Sequence, residues 1–210
     1  MIYLSCEQGS DQWREHRAGR ITASRFRDAC DKLKSGAPSA KALAYAAQVA
    51  VERVSGEPYD DTFVSYAMRR GTELEPEARF EYESRTGIVA TEAGIVTTDD
   101  GTFSYSTDGF VGADGLIEIK CILSPEKLVN ICRDGDPSEY MHQIQGGLWI
   151  TGRKWADLVV YAPQLASIGR SLIVQRIPRD DNYIEALEMD LMRFAKIVSD
   201  YETTLRQKAA

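Results

Sequence analysis

The segment from Asp108 to Lys120, DGFVGADGLIEIK, constrains the fold more than any other stretch of the chain. Its second half alternates and is rich in β-branched residues, which reads as a strand from Leu116 to Ile122, and the Gly and Asp before it mark a tight hairpin turn. A period of two sets Glu118 and Lys120 on one face and turns Ile117, Ile119 and Cys121 the other way, into a core. Whether Asp108 joins the face of Glu118 depends on the turn. A two-residue loop at Asp114-Gly115 pairs Gly109 with Lys120 and Val111 with Glu118, and sends Asp108 to the opposite face. A three-residue loop, Ala113-Asp114-Gly115, pairs Asp108 with Lys120 and Phe110 with Glu118, so all three functional groups share a face. The second register is preferred because it uses Gly115 as the left-handed residue that a type I turn plus bulge needs. Gly115 is then expected at positive φ.

An acid followed on the next strand by Glu-x-Lys has the charge logic of metal-dependent phosphodiester cleavage. Two carboxylates on neighbouring strands repel unless a cation lies between them, and oxygen ligands favour a hard ion such as magnesium. A phosphodiester completes such a site, and a nearby lysine orients or deprotonates the attacking water. Asp108 and Glu118 are expected as exposed ligands, so that alanine at either position removes turnover and spares the fold. The pattern is short, and the polar side of an ordinary exposed hairpin would carry the same residues. More of the chain has to agree.

With 210 residues and 43% hydrophobic content, the chain has material for one large domain with a real core. A single domain over 1–210 is expected, mainly helical over 1–87, with a sheet core, the hairpin and a terminal helix over 88–210. The segment Met1 to Glu7 lacks a basic stretch followed by an apolar run, and no segment approaches about 18 uninterrupted apolar residues. A soluble, cytoplasmic protein with no membrane association is expected. Cys6, Cys30, Cys121 and Cys132 are scattered with no CxxC pair, as free thiols in a reducing compartment would be, and His16 and His142 have no zinc-type neighbours. The formal net charge of −7 argues against a protein that coats DNA and is neutral toward a metal nuclease. Arginines do gather near the N-terminus, at positions 14, 17, 20, 25 and 27.

Along the chain, Ser10 caps a short helix that ends at Gly19, and Ile21-Thr22-Ala-Ser24 is read as the start of a second helix to about Leu33. Hydroxyls at such an end, with an arginine nearby, would suit an anion, although two plain capping residues read the same way and are the commoner case. Ser39 to Val54 reads as a helix closed by Gly56, and a longer one runs from about Phe63 to Arg85, bent at Gly71 and Pro76. Ile88–Thr97 and Thr102–Val111 read as strands, Pro125–Cys132 and Ser138–Ile150 as helices, Asp157–Tyr161 and Ser171–Ile177 as strands, and Asp180–Arg206 as an amphipathic terminal helix. Gly146 and Gly147 are expected to allow close packing on a sheet. The order suits an α/β (α+β) fold with a central mixed sheet flanked by helices.

Five ordered segments now stand together: Trp13…Arg17-Ala-Gly19-Arg-Ile-Thr22-Ala-Ser24, Gly71-Thr-Glu-Leu-Glu75, Ser106-Thr-Asp108-Gly109, Leu116-Ile-Glu118-Ile-Lys120-Cys121 and Tyr140-Met-His-Gln143-Ile-Gln145…Trp149. In them the chain resembles the lambda exonuclease (YqaJ-like viral recombinase) family of the PD-(D/E)xK nuclease superfamily, as a phage or prophage homologue. The resemblance covers nearly the whole length and implies a restriction-endonuclease-like core. It implies that Asp108, Glu118 and the carbonyl of Ile119 hold a divalent metal, with Glu75 assisting a second. Magnesium is the implied ion, two per site, with manganese as a substitute. Lys120 and Gln143 would position the attacking water. Arg17, Thr22, Ser24 and Ser106 would hold a terminal 5′-phosphate. The family degrades the 5′-ended strand of duplex DNA to mononucleotides, can form a ring of three subunits, and passes the 3′-tailed strand to an annealing protein in recombination.

The chain departs from the pattern in three places. Thr107 stands where proline gives the superfamily its name, the loop between Asp108 and Glu118 is trimmed to a minimal hairpin, and Pro76 follows Glu75. Helicase-associated and CRISPR-associated relatives are the enzymatic alternative, yet they carry tyrosine four residues after the glutamine, where this chain has Gly147, and some group four cysteines around a cluster. The alternative from another class is a DNA-end-binding scaffold that has lost catalysis, against which the intact Asp108, Glu118 and Lys120 argue.

Overall fold

A computed structural model describes residues 1–59 and 66–207. Among these residues, eight strands form two four-stranded mixed sheets with helices packed around them. In chain order the elements are β1 (Ile2–Leu4), α1 (Asp11–Arg17), β2 (Ile21–Thr22), a 3-10 turn (Ala23–Arg25), α2 (Phe26–Ala29), α3 (Ala40–Ser55), α4 (Tyr66–Thr86), β3 (Ile95–Thr97), β4 (Phe103–Ser106), β5 (Gly109–Val111), β6 (Gly115–Cys121), α5 (Pro125–Asp134), α6 (Met141–Thr151), β7 (Trp155–Tyr161), a second 3-10 segment (Pro163–Ile168), β8 (Leu172–Pro178) and α7 (Asp181–Arg206). The first sheet has the order β1-β3-β4-β2 and the second β5-β6-β7-β8. The α/β class expected from sequence is the one found, with two sheets in place of one.

The cap read at Ser10 and the closure read at Gly56 are found, and Ser39 and Asp180, read only as helix starts, cap their helices as well. Ser10, Ser39 and Asp180 each accept a backbone N–H of the first turn, and Gly56 closes α3 in the left-handed conformation. The apolar face of α3, with Tyr45, Ala46 and Val49, packs on α7, where the Tyr45 ring stacks on Phe194 at 5.3 Å. The start expected near Phe63 lies outside the described residues. From Tyr66 onward α4 continues through Pro76 to Thr86.

Three expectations about local structure are corrected. Ile21 and Thr22 are not helical: they pair in parallel with Phe103 and Ser104, and the cross-strand ladder takes the place of a helix start. Only four residues of α-helix follow, at α2. The stretch from Ile88 is not a strand until Ile95, apart from a bridge between Thr91 and Phe110. Thr102–Val111 is not one strand either. It ends in the first sheet at Ser106 and resumes in the second at Gly109, so Asp108 sits where the chain changes sheets.

The hairpin register also differs. Val111 pairs with Gly115 and Gly109 with Ile117, closing the three-residue loop Gly112-Ala113-Asp114. The left-handed residue is Gly112 at φ +52°, not Gly115. Gly115 is required for another reason: a Cβ there would lie 2.3 Å from the Trp155 ring. The slip relative to the expected pairing is two residues, an even number, so it keeps every side chain on its expected face. On extension of this ladder Asp108 lies opposite Glu118 rather than Lys120. Arg153 secures the turn by donating to the carbonyls of Gly112 and Gly115 at 2.9 and 2.8 Å, with its guanidinium 3.9 Å over Phe110.

Helix α6 approaches so closely because of its glycine pair. A Cβ at Gly146 would meet the Phe26 ring at 2.5 Å, and one at Gly147 the Tyr105 ring at 2.6 Å. Gly147→Ala should therefore cost about 1–3 kcal/mol of stability by overpacking, measurable as a lower midpoint of denaturant unfolding. A variant as stable as the parent would show that the Tyr105 ring yields freely.

Candidate active site

Strand β6 carries the site because its two faces meet different layers. Ile117 and Ile119 pack on Leu74, Ala78 and Tyr82 of α4, with Val159 and Tyr161 of β7. Glu118 and Lys120 face the other way, toward α6. Glu118 is 2% exposed and Asp108 7%, so the carboxylates are buried rather than exposed as expected. The physical reason is the double cover: α6 lies over the face that would be solvent-exposed in an isolated hairpin.

Every oxygen of Glu118 has a partner. Its Oε1 accepts from Lys120 Nζ at 2.8 Å and Gln143 Nε2 at 2.5 Å, and its Oε2 accepts from the Tyr105 hydroxyl at 2.7 Å. Lys120 also donates to Gln143 Oε1 at 3.2 Å. Burial works against the Lys120 charge, but the Glu118 and Asp108 carboxylates outweigh it and hold the amine above its usual range, as an ammonium.

Asp108 is fixed from several sides. Its Oδ2 accepts the Ile119 N–H at 2.5 Å, Gln8 Nε2 lies 3.5 Å from its Oδ1, and its main-chain carbonyl accepts from Arg79 Nη2. The neighbouring Thr107 hydroxyl bridges to the carbonyls of Gly109 and Ile117 at 3.1 and 3.0 Å. Burial, then the charges of Glu118 and Glu75, raise the Asp108 carboxyl well above the ordinary range. Glu75 is raised too, by burial first, with Arg79 opposing it and Glu118 adding to it.

Carboxylates this buried and this near one another repel, and a cation between them would relieve the repulsion. The donor set of two buried carboxylates and the Ile119 carbonyl suits a hard divalent ion. Among the described residues no three His, Cys, Asp or Glu side chains are gathered into a group that could hold an ion. Glu75 comes from α4 and lines a cleft of ≈ 450 Å³ with Ile119, Lys120 and Tyr140.

A second cluster lies toward the N-terminus. Arg17 Nη2 donates to the hydroxyls of Thr22 and Ser24 at 3.3 and 3.2 Å, and its guanidinium lies 4.3 Å over the Trp13 ring. The Trp13 indole in turn donates to Ser106 at 2.9 Å. The structure thus unites all four residues expected at a phosphate, but around a guanidinium rather than a helix end. Glu52 accepts the Gly19 N–H at 2.8 Å and Arg53 donates to the Gly19 carbonyl at 2.8 Å, which pins the turn behind Arg17. Of the N-terminal arginines, Arg14, Arg25 and Arg27 are within ion-pair distance of carboxylates, whereas among the described residues Arg17 makes no ion pair.

Sequence reasoning assigned no role to Arg79, Tyr105 or Gln8. Arg79 follows Glu75 by one helical turn, which is a legible signal, and Tyr105 occupies the inward position of the Ser-Tyr-Ser strand. Nothing in the sequence marks Gln8.

Such a fold, with an acid at a change of sheet, Glu-x-Lys on the next strand and a helix glutamine over it, defines a nuclease of the PD-(D/E)xK superfamily. Residues 12–154 match the YqaJ-like viral recombinase domain, and the chain belongs to that family, one of DNA exonucleases that use divalent metal ions. It is 34% identical to the alkaline exonuclease LHK-Exo of Laribacter hongkongensis, with a TM-score of 0.82 over 94% of this chain and 97% of that one. The same relative in complex with dAMP superposes with a TM-score of 0.84, covering 94% and 96%. A phage-related exonuclease from Haemophilus somnus 129PT shares the fold at 15% identity, with a TM-score of 0.66 over 89% of this chain and 94% of that one. No curated protein matches the chain. No described helix is long and apolar enough to cross a membrane.

Proposed function

We propose that the chain is a magnesium-dependent 5′→3′ exonuclease that starts at an end of duplex DNA, degrades the 5′-ended strand to mononucleotides and leaves a 3′ single-stranded tail for recombination by annealing. One observation carries the reading. A cleft of ≈ 510 Å³ is lined by Ser24, which Arg17 holds, and also by Lys120 and Gln143, which hold Glu118. A terminal phosphate held at Ser24, the member of the Arg17, Thr22, Ser24 and Ser106 cluster that lines this cleft, would lie in one cleft with the groups that face the scissile diester. Mononucleotide release is supported by the relative solved with dAMP.

In this reading Asp108, Glu118 and the Ile119 carbonyl hold one divalent ion, and Glu75 shares in a second. Manganese would substitute for magnesium. Such an ion, when bound, would supply positive charge for the developing oxyanion and would acidify the attacking water. Lys120, kept as an ammonium by Glu118 and Asp108, orients that water and offsets charge on the phosphoryl oxygens, while Gln143 fixes the Glu118 carboxylate. Arg17 offers a forked, charge-assisted contact to the end phosphate, and the hydroxyls add neutral donors. A cytoplasmic location, a homotrimeric ring and a single-strand annealing partner belong to the same reading.

The end pocket has a direct test. Duplexes with 5′-phosphate ends should be degraded about tenfold faster in kcat/KM than 5′-hydroxyl ends, the scale of one charge-assisted hydrogen bond, and Arg17→Ala should erase most of that difference. The comparison is made at fixed salt, because general phosphate attraction also falls as salt rises. Equal rates on both ends, or a preference that survives Arg17→Ala, would place the pocket elsewhere.

A further inference from the structure

Three observations converge on Arg79. Its Nη2 donates to the main-chain carbonyl of Asp108, at the point where the chain leaves the first sheet for the second. Its position on α4 is one turn after Glu75, on which its charge acts. Its Nη1 is buried with no hydrogen-bond partner, although the same guanidinium is committed on its other nitrogen. A buried guanidinium N–H is costly to leave unpaired, so Nη1 is a donor ready for a further acceptor.

We propose that Arg79 is a positioning residue for the metal centre, locking Asp108 through its carbonyl and offering its free Nη1 as the docking point for Glu75 when an ion enters. The proposal rests on the metal reading given above. The Ile119 N–H and Gln8 direct the Asp108 carboxylate, whereas the contact to its main-chain carbonyl comes from Arg79. Thr107 anchors the preceding residue to the hairpin. Loss of Arg79 would free the peptide at the sheet change to rotate, and the carboxylate would turn with it. The same loss would remove the cation that stands one turn after Glu75 on α4. Lysine at this position would restore a charge beside Glu75 but not a forked donor that reaches two groups at once.

The test is direct Mn²⁺ binding to the purified full chain by calorimetry, with thermal unfolding recorded on the same samples. Arg79→Ala should weaken Mn²⁺ binding about tenfold or more, the usual scale for residues that orient metal ligands, and Arg79→Lys should fall between it and the parent. A role confined to stability would lower the melting temperature and leave the affinity of the folded protein unchanged. Asp108→Asn serves as the reference. If it abolishes binding while both Arg79 variants bind like the parent, the proposal is wrong and the metal reading stands. If Asp108→Asn itself binds like the parent, the metal reading fails and takes this proposal with it. Should Arg79→Ala not fold, Arg79→Lys alone decides, and parent-like affinity in it overturns the proposal.

Discussion

Asp108→Asn and Glu118→Gln should each reduce DNA hydrolysis by about 10³-fold or more while leaving the protein folded. Loss of a metal-ligating carboxylate removes several kcal/mol of transition-state charge stabilisation, and each 1.36 kcal/mol is a factor of about ten in rate. The amides are chosen over alanine because both carboxylates are buried, at 7% and 2% exposure. Asparagine can still accept the Ile119 N–H, and glutamine can still accept from Lys120 and meet the Tyr105 hydroxyl. Alanine would leave those donors unpaired inside the protein and confuse catalysis with folding. Burial beside Glu118 and Glu75 already disfavours the charged form of Asp108, so the neutral amide should leave the metal-free protein at least as stable as the parent. Single-turnover cleavage of duplex DNA in magnesium, run beside thermal unfolding, measures both. Rates within tenfold of the parent in either variant would remove that carboxylate from the site.

Lys120→Met should lower the single-turnover rate by about 10²-fold or more, the scale of losing a group that orients or exchanges a proton in the transition state. Methionine keeps the length of the stem and deletes three donors. The expected signature is a fall in kcat with Mn²⁺ binding still measurable, since Lys120 is not itself a ligand. Glu118 would lose its contact at 2.8 Å but keep those from Gln143 and Tyr105, which hold its direction. An effect below fivefold would reduce Lys120 to a counter-ion of Glu118.

The face of the hairpin was legible in the sequence, but the register was not. Alternation places Glu118 and Lys120 together whatever the turn, and any slip by an even number of residues leaves Asp108 with them. The sequence has a glycine at 112 and another at 115, and only packing distinguishes their uses: Gly112 takes the left-handed conformation, while Gly115 makes room for the Trp155 ring. Helix caps were legible for the same local reason, because Ser10, Ser39 and Asp180 bond within their own first turns.

Thr22 and Ser24 show the opposite case. Their hydroxyls suit a helix start, and nothing nearby in the chain says that Ile21 and Thr22 will pair instead with Phe103 and Ser104. The ordered segments of the sequence, by themselves, determined the family and the α/β class, and they singled out Asp108, Glu118, Lys120 and Gln143, because those depend on short-range spacing and residue type. Only the tertiary structure decided that Asp108 lies at a change of sheet, that both carboxylates are buried, that α6 brings Gln143 onto Glu118, and that Arg79 reaches the Asp108 carbonyl. Each of these joins residues far apart in the chain, and such contacts are set by how whole layers pack rather than by any local pattern.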